Sequence, residues 1–154
     1  MSIQIREAEY NDAPVIVEFN SLIAKETEGK SLDRQRLLRG VQTLLSDPKK
    51  GIYYLAEIDG TIVGQLMITY EWSDWRNGNF WWIQSVYVRK DQRMLGVFTS
   101  LFHYVESLAR KRSDVCGLRL YADRNNTRAQ QTYEHLGMKR AHYEMFEIDF
   151  ILQS

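Results

Sequence analysis

Apolar and polar positions along this 154-residue chain change their spacing several times, and each change predicts a new secondary-structure element. Residues 3–8 alternate between apolar and polar side chains, which is typical of a half-buried strand. Apolar residues then recur at three- and four-residue spacing over 15–23 and 37–45, which predicts two amphipathic helices. Asn11 and Asp12 offer a cap for the first helix, and Asp47-Pro48 ends the second.

The centre of the chain has strand character. Residues 51–58 and 61–72 form two strand-like runs joined by Asp59-Gly60, a strong hairpin signal. Asn77-Gly78 marks another turn, and residues 80–88 form a long β-branched and aromatic run. Apolar residues from Val97 to Leu108 then return to helical spacing.

Residues 115–121 predict another strand, and Asn126 is a candidate cap for a short helix that Gly137 would end. Residues 141–150 alternate again and predict a final strand. The resulting order is β-α-α-β-β-β-α-β-α-β. It predicts a single α/β (α+β) domain over residues 1–154, with a mixed sheet and helices on both faces.

Charge and cysteine content narrow the choice of function. Twenty basic and twenty acidic residues cancel, so the chain lacks the positive excess that binding to a nucleic-acid backbone requires. We therefore expect no nucleic-acid partner. We also expect no membrane span, because no apolar run is long enough to cross a bilayer. Cys116 is the only cysteine, which excludes an internal disulfide and a cysteine zinc cluster. The amino terminus has no signal-peptide pattern, so a cytoplasmic protein is expected.

Two motifs carry the candidate chemistry. In the first, the strand segment Val86-Tyr-Val88 is followed by a charged turn and by Arg93-Met-Leu-Gly96-Val-Phe98 at a helix start, where free N–H groups can bind an anion. The second is Asn126-x-x-Ala129-x-x-x-Tyr133-x-x-x-Gly137-Met138. Together they resemble the GCN5-related N-acetyltransferase (GNAT) superfamily, and the resemblance covers essentially the whole chain and implies a mostly antiparallel sheet.

The resemblance implies a binding site for acetyl-CoA as acyl donor. The backbone of the predicted strand would pair with the pantetheine arm, and the loop amides would hold the pyrophosphate. Residues implied in cofactor binding are Val86, Val88, Arg93, Met94, Leu95, Gly96, Val97, Phe98, Asn126, Ala129 and Tyr133. Phe98 departs from the family pattern, because a bulky side chain stands where Gly or Ala is usual.

The same resemblance implies an N-acetyltransferase that passes the acetyl group directly to an amine. The backbone N–H of Val86, freed by a bulge, would stabilise the oxyanion, and Tyr133 would protonate the leaving thiolate. Several relatives carry an acid just before the Val-x-Val segment, where this chain has Gln84 and Ser85. The remaining candidates for a general base are Glu26, Glu28, Glu71 and Asp74.

Four tryptophans lie in and beside one predicted hairpin. At least one of Trp81 and Trp82 should face the core, while Trp72, Trp75 and Asp74 would suit a cationic small-molecule amine or polyamine, or else a homodimer patch. The three histidines fit no familiar metal motif, and no metal is expected. Alternative hypotheses are a non-catalytic acyl-CoA-binding or sensor module, an enzyme acting on a protein amine, and a binder of single-stranded nucleic acid.

Overall fold

The computed structural model describes residues 2–152, and the chain divides after Leu120 into two compact units. The first unit contains β1 (Ile3–Glu7), α1 (Ala13–Glu28), α2 (Arg34–Leu45), β2 (Ile52–Ile58), β3 (Thr61–Ser73), β4 (Gly78–Val88), α3 (Val97–Arg110) and β5 (Val115–Arg119). The second unit contains α4 (Thr127–His135). Among the described residues, no helix is both long and apolar enough to cross a membrane.

The five strands form one sheet in the order β1-β2-β3-β4-β5. The first four strands are antiparallel neighbours, and β5 runs parallel to β4. The turn between β2 and β3 has positive φ at both Asp59 (50°) and Gly60 (78°), the conformation that a two-residue hairpin favours. The predicted mixed and mostly antiparallel sheet is therefore confirmed.

Helices cover both faces of this sheet. Successive side chains of each strand point to opposite faces, so both faces offer apolar side chains against which a helix can pack. Tyr53 and Leu55 of β2 are buried in a cluster with α1 and α2. The intervening Tyr54 points to the other face, where its ring lies 5.6 Å from that of Tyr104 in α3. The predicted placement of helices on both faces is confirmed.

Gly64 of β3 permits the first residue of α3 to approach the sheet closely. A Cβ atom at this position would lie 2.9 Å from Val97 Cγ1 and 3.1 Å from the Tyr87 carbonyl oxygen. These separations are shorter than normal van der Waals contacts, so any side chain here would push the start of α3 outward. Gly64 thereby fixes where the α3 amides lie relative to β4.

We expect Gly64→Ala to lower the free energy of unfolding by about 1–3 kcal/mol, because it overpacks the contact with Val97. Urea-induced unfolding measures this change. The matched control is Gly40→Ala in α2, where an added Cβ meets nothing within 4 Å, and which should stabilise the helix by about 0.5–1 kcal/mol. A Gly64→Ala variant as stable as the wild type would contradict the close-packing argument.

The second unit confirms the predicted start and end of its helix. Asn126 Oδ1 accepts a hydrogen bond from Ala129 N at 3.1 Å and caps α4. At the other end Gly137 has a φ of 97°, and Met138 N donates to Tyr133 O at 3.0 Å. This pair of features is a Schellman termination.

The prediction of a final strand over residues 141–150 is wrong. These residues have no strand structure, and the side chains of Phe146, Ile148 and Phe150 are exposed. Asp149 Oδ1 instead accepts from the backbone amides of Ile151 and Leu152, both at 2.8 Å. Alternation indicates a strand only where a neighbouring strand completes its hydrogen bonds, and the described residues of this unit include no other strand.

Candidate active site

A β-bulge interrupts β4 at Ser85 and Val86. Gln65 of β3 pairs with Tyr87 and Met67 pairs with Gln84, so that two residues of β4 lie opposite Leu66. Ser85 has a φ of 50°, in the left-handed region that non-glycine residues rarely adopt. Among the described residues neither member of the bulge has a register partner on β3, and such a residue can present its backbone groups outside the ladder.

The edge of β4 beyond the bulge lies open on the side away from β3. The parallel pairing with β5 extends only from Asn79 to Trp82. Within the described part of the sheet, residues 83–88 therefore have a strand neighbour on one side alone. An open edge of this kind can accept an extended ligand that carries amide groups.

The loop after β4 leads directly to the amino terminus of α3. Met94 (φ 71°) and Gly96 (φ 82°) adopt left-handed conformations on either side of Leu95, and Gly96 is the N-cap of the helix. The first amides of a helix have no intrahelical partner and carry the positive end of its dipole. Val97 is buried against the sheet, while Phe98 is partly buried with its ring 6.2 Å from that of Phe102. The bulky side chain at Phe98 is thus packed against its own helix.

Arg93 connects this loop to α1. Its Nη2 atom donates to Glu26 Oε1 at 2.9 Å, and its Nε atom donates to the Val88 carbonyl oxygen at 2.8 Å. The Tyr87 hydroxyl donates to Glu26 Oε2 at 3.1 Å. Arg93 and, to a smaller extent, Tyr87 lower the pKa of Glu26, which therefore stays ionised at neutral pH. A carbonyl oxygen has two lone pairs, so the Val88 carbonyl retains capacity for a second donor.

The other predicted base candidates differ from Glu26 in their surroundings. Glu28 is exposed and lies 3.9 Å from Lys30 Nζ. Glu71 Oε1 accepts from Trp82 Nε1 at 2.9 Å and from Arg119 Nη1 at 2.7 Å. These two hydrogen bonds lower the pKa of Glu71. Glu71 pairs with Phe80, six residues before Val86, and so lies roughly 20 Å along the strand from the bulge.

The exposed tryptophans also lie far from the bulge. Trp72 pairs with Asn79, seven residues before Val86, which corresponds to roughly 23 Å at about 3.3 Å per residue. Asp74 and Trp75 follow in the turn of the hairpin, and Trp75 is 87% exposed. Trp81 is buried, as predicted for one of the adjacent pair. The structure does not bring Trp72, Asp74 and Trp75 together with Val86.

Tyr133 and Ala129 lie one turn apart on α4, in the second unit. The Tyr133 side chain is half-buried, and burial raises its pKa above the ordinary value for tyrosine. Its hydroxyl therefore remains protonated at neutral pH and can donate a proton. Asn126 uses its side-chain oxygen as the helix cap, as described above.

Sequence reasoning missed two buried polar residues, of which Gln65 contacts the bulge directly. Gln65 is fully buried and its Nε2 donates to the Ser85 carbonyl oxygen at 2.9 Å. Asn20 Nδ2 donates to the Tyr53 hydroxyl at 3.0 Å. The only available signal was a polar residue at a core position of an apolar strand or helix, as at Gln65 between Gly64 and Leu66.

The residues of the first unit fit an acyl-CoA donor. The open edge at Val86 and Val88 suits the amide groups of a pantetheine arm, and the α3 amides suit a pyrophosphate. Among the described residues, no group of three or more His, Cys, Asp or Glu side chains is arranged to hold a metal ion.

Comparison with known proteins agrees with this description. A family model for the acetyltransferase (GNAT) family matches residues 16–138. A possible acetyltransferase from Clostridium difficile 630 is 47% identical, with a TM-score of 0.89, over 99% of this chain and 100% of that one. A predicted acetyltransferase with acetyl-CoA from Clostridium acetobutylicum is 19% identical, with a TM-score of 0.77, over 97% of each chain.

An aminoglycoside acetyltransferase from an uncultured soil metagenomic sample shares the fold, with 19% identity and a TM-score of 0.72 over 99% of this chain and 100% of that one. Comparison with curated protein sequences gives no match. The chain belongs to the acetyltransferase (GNAT) family, since the family model covers most of its length. It is an acetyl-CoA-dependent N-acetyltransferase, and the acyl acceptor of this family is an amine.

Proposed function

We propose that this protein transfers the acetyl group of acetyl-CoA to a primary amine of a small cationic molecule, such as a polyamine. The observation that carries the proposal is the bulge at Ser85–Val86 on the open edge of β4. The Glu26 carboxylate lies close by, because it accepts a hydrogen bond from the hydroxyl of the next residue, Tyr87. This arrangement supports binding of the donor and of a positively charged acceptor within the first unit.

The reaction that we propose is direct attack on the thioester. The neutral amine nitrogen forms a bond to the carbonyl carbon, and the carbonyl oxygen becomes an oxyanion that the Val86 N–H stabilises. Collapse of this intermediate breaks the carbon–sulfur bond and releases the thiolate of CoA. The proposed role of Tyr133 is to protonate that thiolate, and the extra proton that the nitrogen loses on forming the amide passes through solvent and restores the Tyr133 phenol.

We assign the Glu26 carboxylate to binding of the acceptor amine. Its negative charge suits attraction of a cation, whereas it is too weak a base to remove the proton of an ammonium group directly. An alkylammonium has a pKa of about 10.4, and a carboxyl group of about 4.3, so direct transfer is uphill by about 6 pKa units, or about 8 kcal/mol. Arg93 lowers the pKa of Glu26 further. A permanently ionised carboxylate is instead suited to attracting and orienting a positively charged group of the acceptor, while the reacting nitrogen enters as the neutral fraction that is in protonation equilibrium with the solvent.

Turnover with a panel of amines tests this proposal. The panel contains polyamines, aminoglycosides, neutral primary amines and peptides with a free amino terminus or lysine, and the readouts are CoA thiol release and acetylated product mass. We expect turnover with the small cationic amines. Turnover confined to peptides would identify a protein acceptor. Tight CoA binding without turnover on any amine would favour a non-catalytic acyl-CoA sensor.

A further inference from the structure

One buried polar side chain lies at the bulge of β4. Of the polar and charged residues in the described part of the chain only Asn20 and Gln65 are buried, and Gln65 Nε2 donates a hydrogen bond to the Ser85 carbonyl oxygen. Burying a polar group costs free energy unless its hydrogen bonds are replaced. A buried glutamine directed at a strand irregularity indicates that the geometry of the irregularity matters.

Gln65 is only half satisfied in its buried position. Its Nε2 atom donates to the Ser85 carbonyl oxygen at 2.9 Å, whereas its Oε1 atom has no hydrogen-bond partner among the described residues. An apolar side chain of similar size would avoid the cost of that unpaired oxygen. Stability alone therefore does not explain a glutamine here, while the hydrogen bond to Ser85 does.

Tyr53 of β2 also interacts with the Ser85 side chain. The Tyr53 hydroxyl accepts from Asn20 Nδ2 at 3.0 Å. Burial raises the pKa of Tyr53, and hydrogen bonding with Asn20 and with the Ser85 side chain partly opposes that rise. The Ser85 carbonyl is thus fixed by a hydrogen bond from the buried Gln65 of β3, the strand next to β4.

These contacts explain how Ser85 keeps an unfavourable backbone conformation. Its φ of 50° is strained for any residue with a side chain, and such strain persists only where surrounding contacts fix it. The peptide group that carries the Ser85 carbonyl also carries the Val86 N–H. Because a peptide bond is planar and trans, a donor that fixes the Ser85 carbonyl also fixes the direction of the Val86 N–H.

We propose that Gln65 is a positioning residue for catalysis, whose hydrogen bond to the Ser85 carbonyl aims the Val86 N–H at the thioester oxygen. This inference rests on the proposed oxyanion role of Val86. Gln65 acts through the backbone of Ser85 and Val86. It should therefore influence the rate of the chemical step more than the binding of either substrate.

The test compares Gln65→Leu and Gln65→Met with a matched control, Thr69→Val. The control also removes a hydrogen bond between β3 and β4, since Thr69 Oγ1 accepts from Gln84 Nε2, but it leaves the bulge alone. We expect kcat to fall about 10–100-fold in both Gln65 variants, the loss typical of a misplaced group, with the Kd of CoA changed by less than about threefold. Thr69→Val should keep kcat within about threefold of the wild type.

A second readout needs no turnover. The NMR three-bond coupling between the amide and α protons of Ser85 reports its φ, and it should change in the Gln65 variants of the free protein but not in Thr69→Val. An unchanged Ser85 coupling with wild-type kcat in folded Gln65→Met would overturn the inference. If the wild type acetylates no amine, the proposed function fails, and the Ser85 coupling still decides whether Gln65 fixes the bulge.

Discussion

Replacing Tyr133 by phenylalanine is expected to lower kcat by about 10²–10⁴-fold, because the departing thiolate of CoA loses its proton donor. A thiol has a pKa of about 8.5 and a phenol of about 10, so proton transfer from a tyrosine hydroxyl to the thiolate costs only about 2 kcal/mol at these ordinary values. Burial raises the pKa of Tyr133 and keeps this hydroxyl protonated near neutral pH. Steady-state kinetics with acetyl-CoA and the best amine measure the loss.

The control for this prediction is Tyr143→Phe, which removes a phenolic hydroxyl from an exposed position in the same unit. It should leave kcat unchanged. The Kd of CoA, measured by calorimetry, should be similar in both variants, because the hydroxyl acts on the leaving group. Wild-type turnover in Tyr133→Phe with intact CoA binding would show that another group, or water, protonates the thiolate.

Replacing Glu26 by glutamine is expected to raise KM for a cationic acceptor by about tenfold, equivalent to about 1.4 kcal/mol of lost binding. The reason is removal of the carboxylate that lies beside Tyr87, next to the bulge. The effect should be larger for a polyamine than for a neutral-bodied primary amine, since Coulomb attraction grows with acceptor charge. kcat should change little, because Glu26 orients the acceptor without taking its proton.

The matched control is Glu28→Gln, two residues further along α1 and exposed to solvent, which should leave KM unchanged. The lowered pKa of Glu26 also predicts a pH dependence. Its charge is present above the ordinary carboxyl pKa of about 4.3 and is lost only as pH falls through a still lower value. Acceptor KM should therefore show no Glu26 titration between about pH 6 and 9. Equal KM values for Glu26→Gln and Glu28→Gln would show that Glu26 does not bind the acceptor.

Much of the fold could be predicted because local signals and tertiary structure agree. Asp59-Gly60 specified a hairpin, Asn126 and Gly137 bounded α4, and the Val-x-Val run became a strand that feeds a helix. The final strand was predicted wrongly because alternation describes only the chain itself. Whether a strand forms also depends on a partner for its backbone, which no local pattern specifies.

The backbone features to which we assign donor binding were predictable for a related reason. The bulge, the open strand edge and the helix amino terminus follow one another along the chain, so their order is visible in the sequence. The surroundings of Glu26 and Gln65, which we propose for acceptor binding and for positioning, were not predictable, because they depend on contacts between residues that are distant in the sequence. Glu26 is 67 positions from Arg93, and Gln65 is 20 positions from Ser85. The residue type of Trp72 and Trp75 favours acceptor binding, although they lie at the far end of the β3–β4 hairpin from the bulge.

The measurement that tests the central claim most directly is the rate of thiol release from acetyl-CoA with a series of primary amines of similar size that carry one, two or three positive charges. If the open edge of β4 binds the donor and Glu26 binds the acceptor, kcat/KM should rise with each added charge, and the rise should become smaller at high salt. A kcat/KM that is independent of acceptor charge, or highest for an uncharged or peptide amine, would contradict the proposed acceptor site.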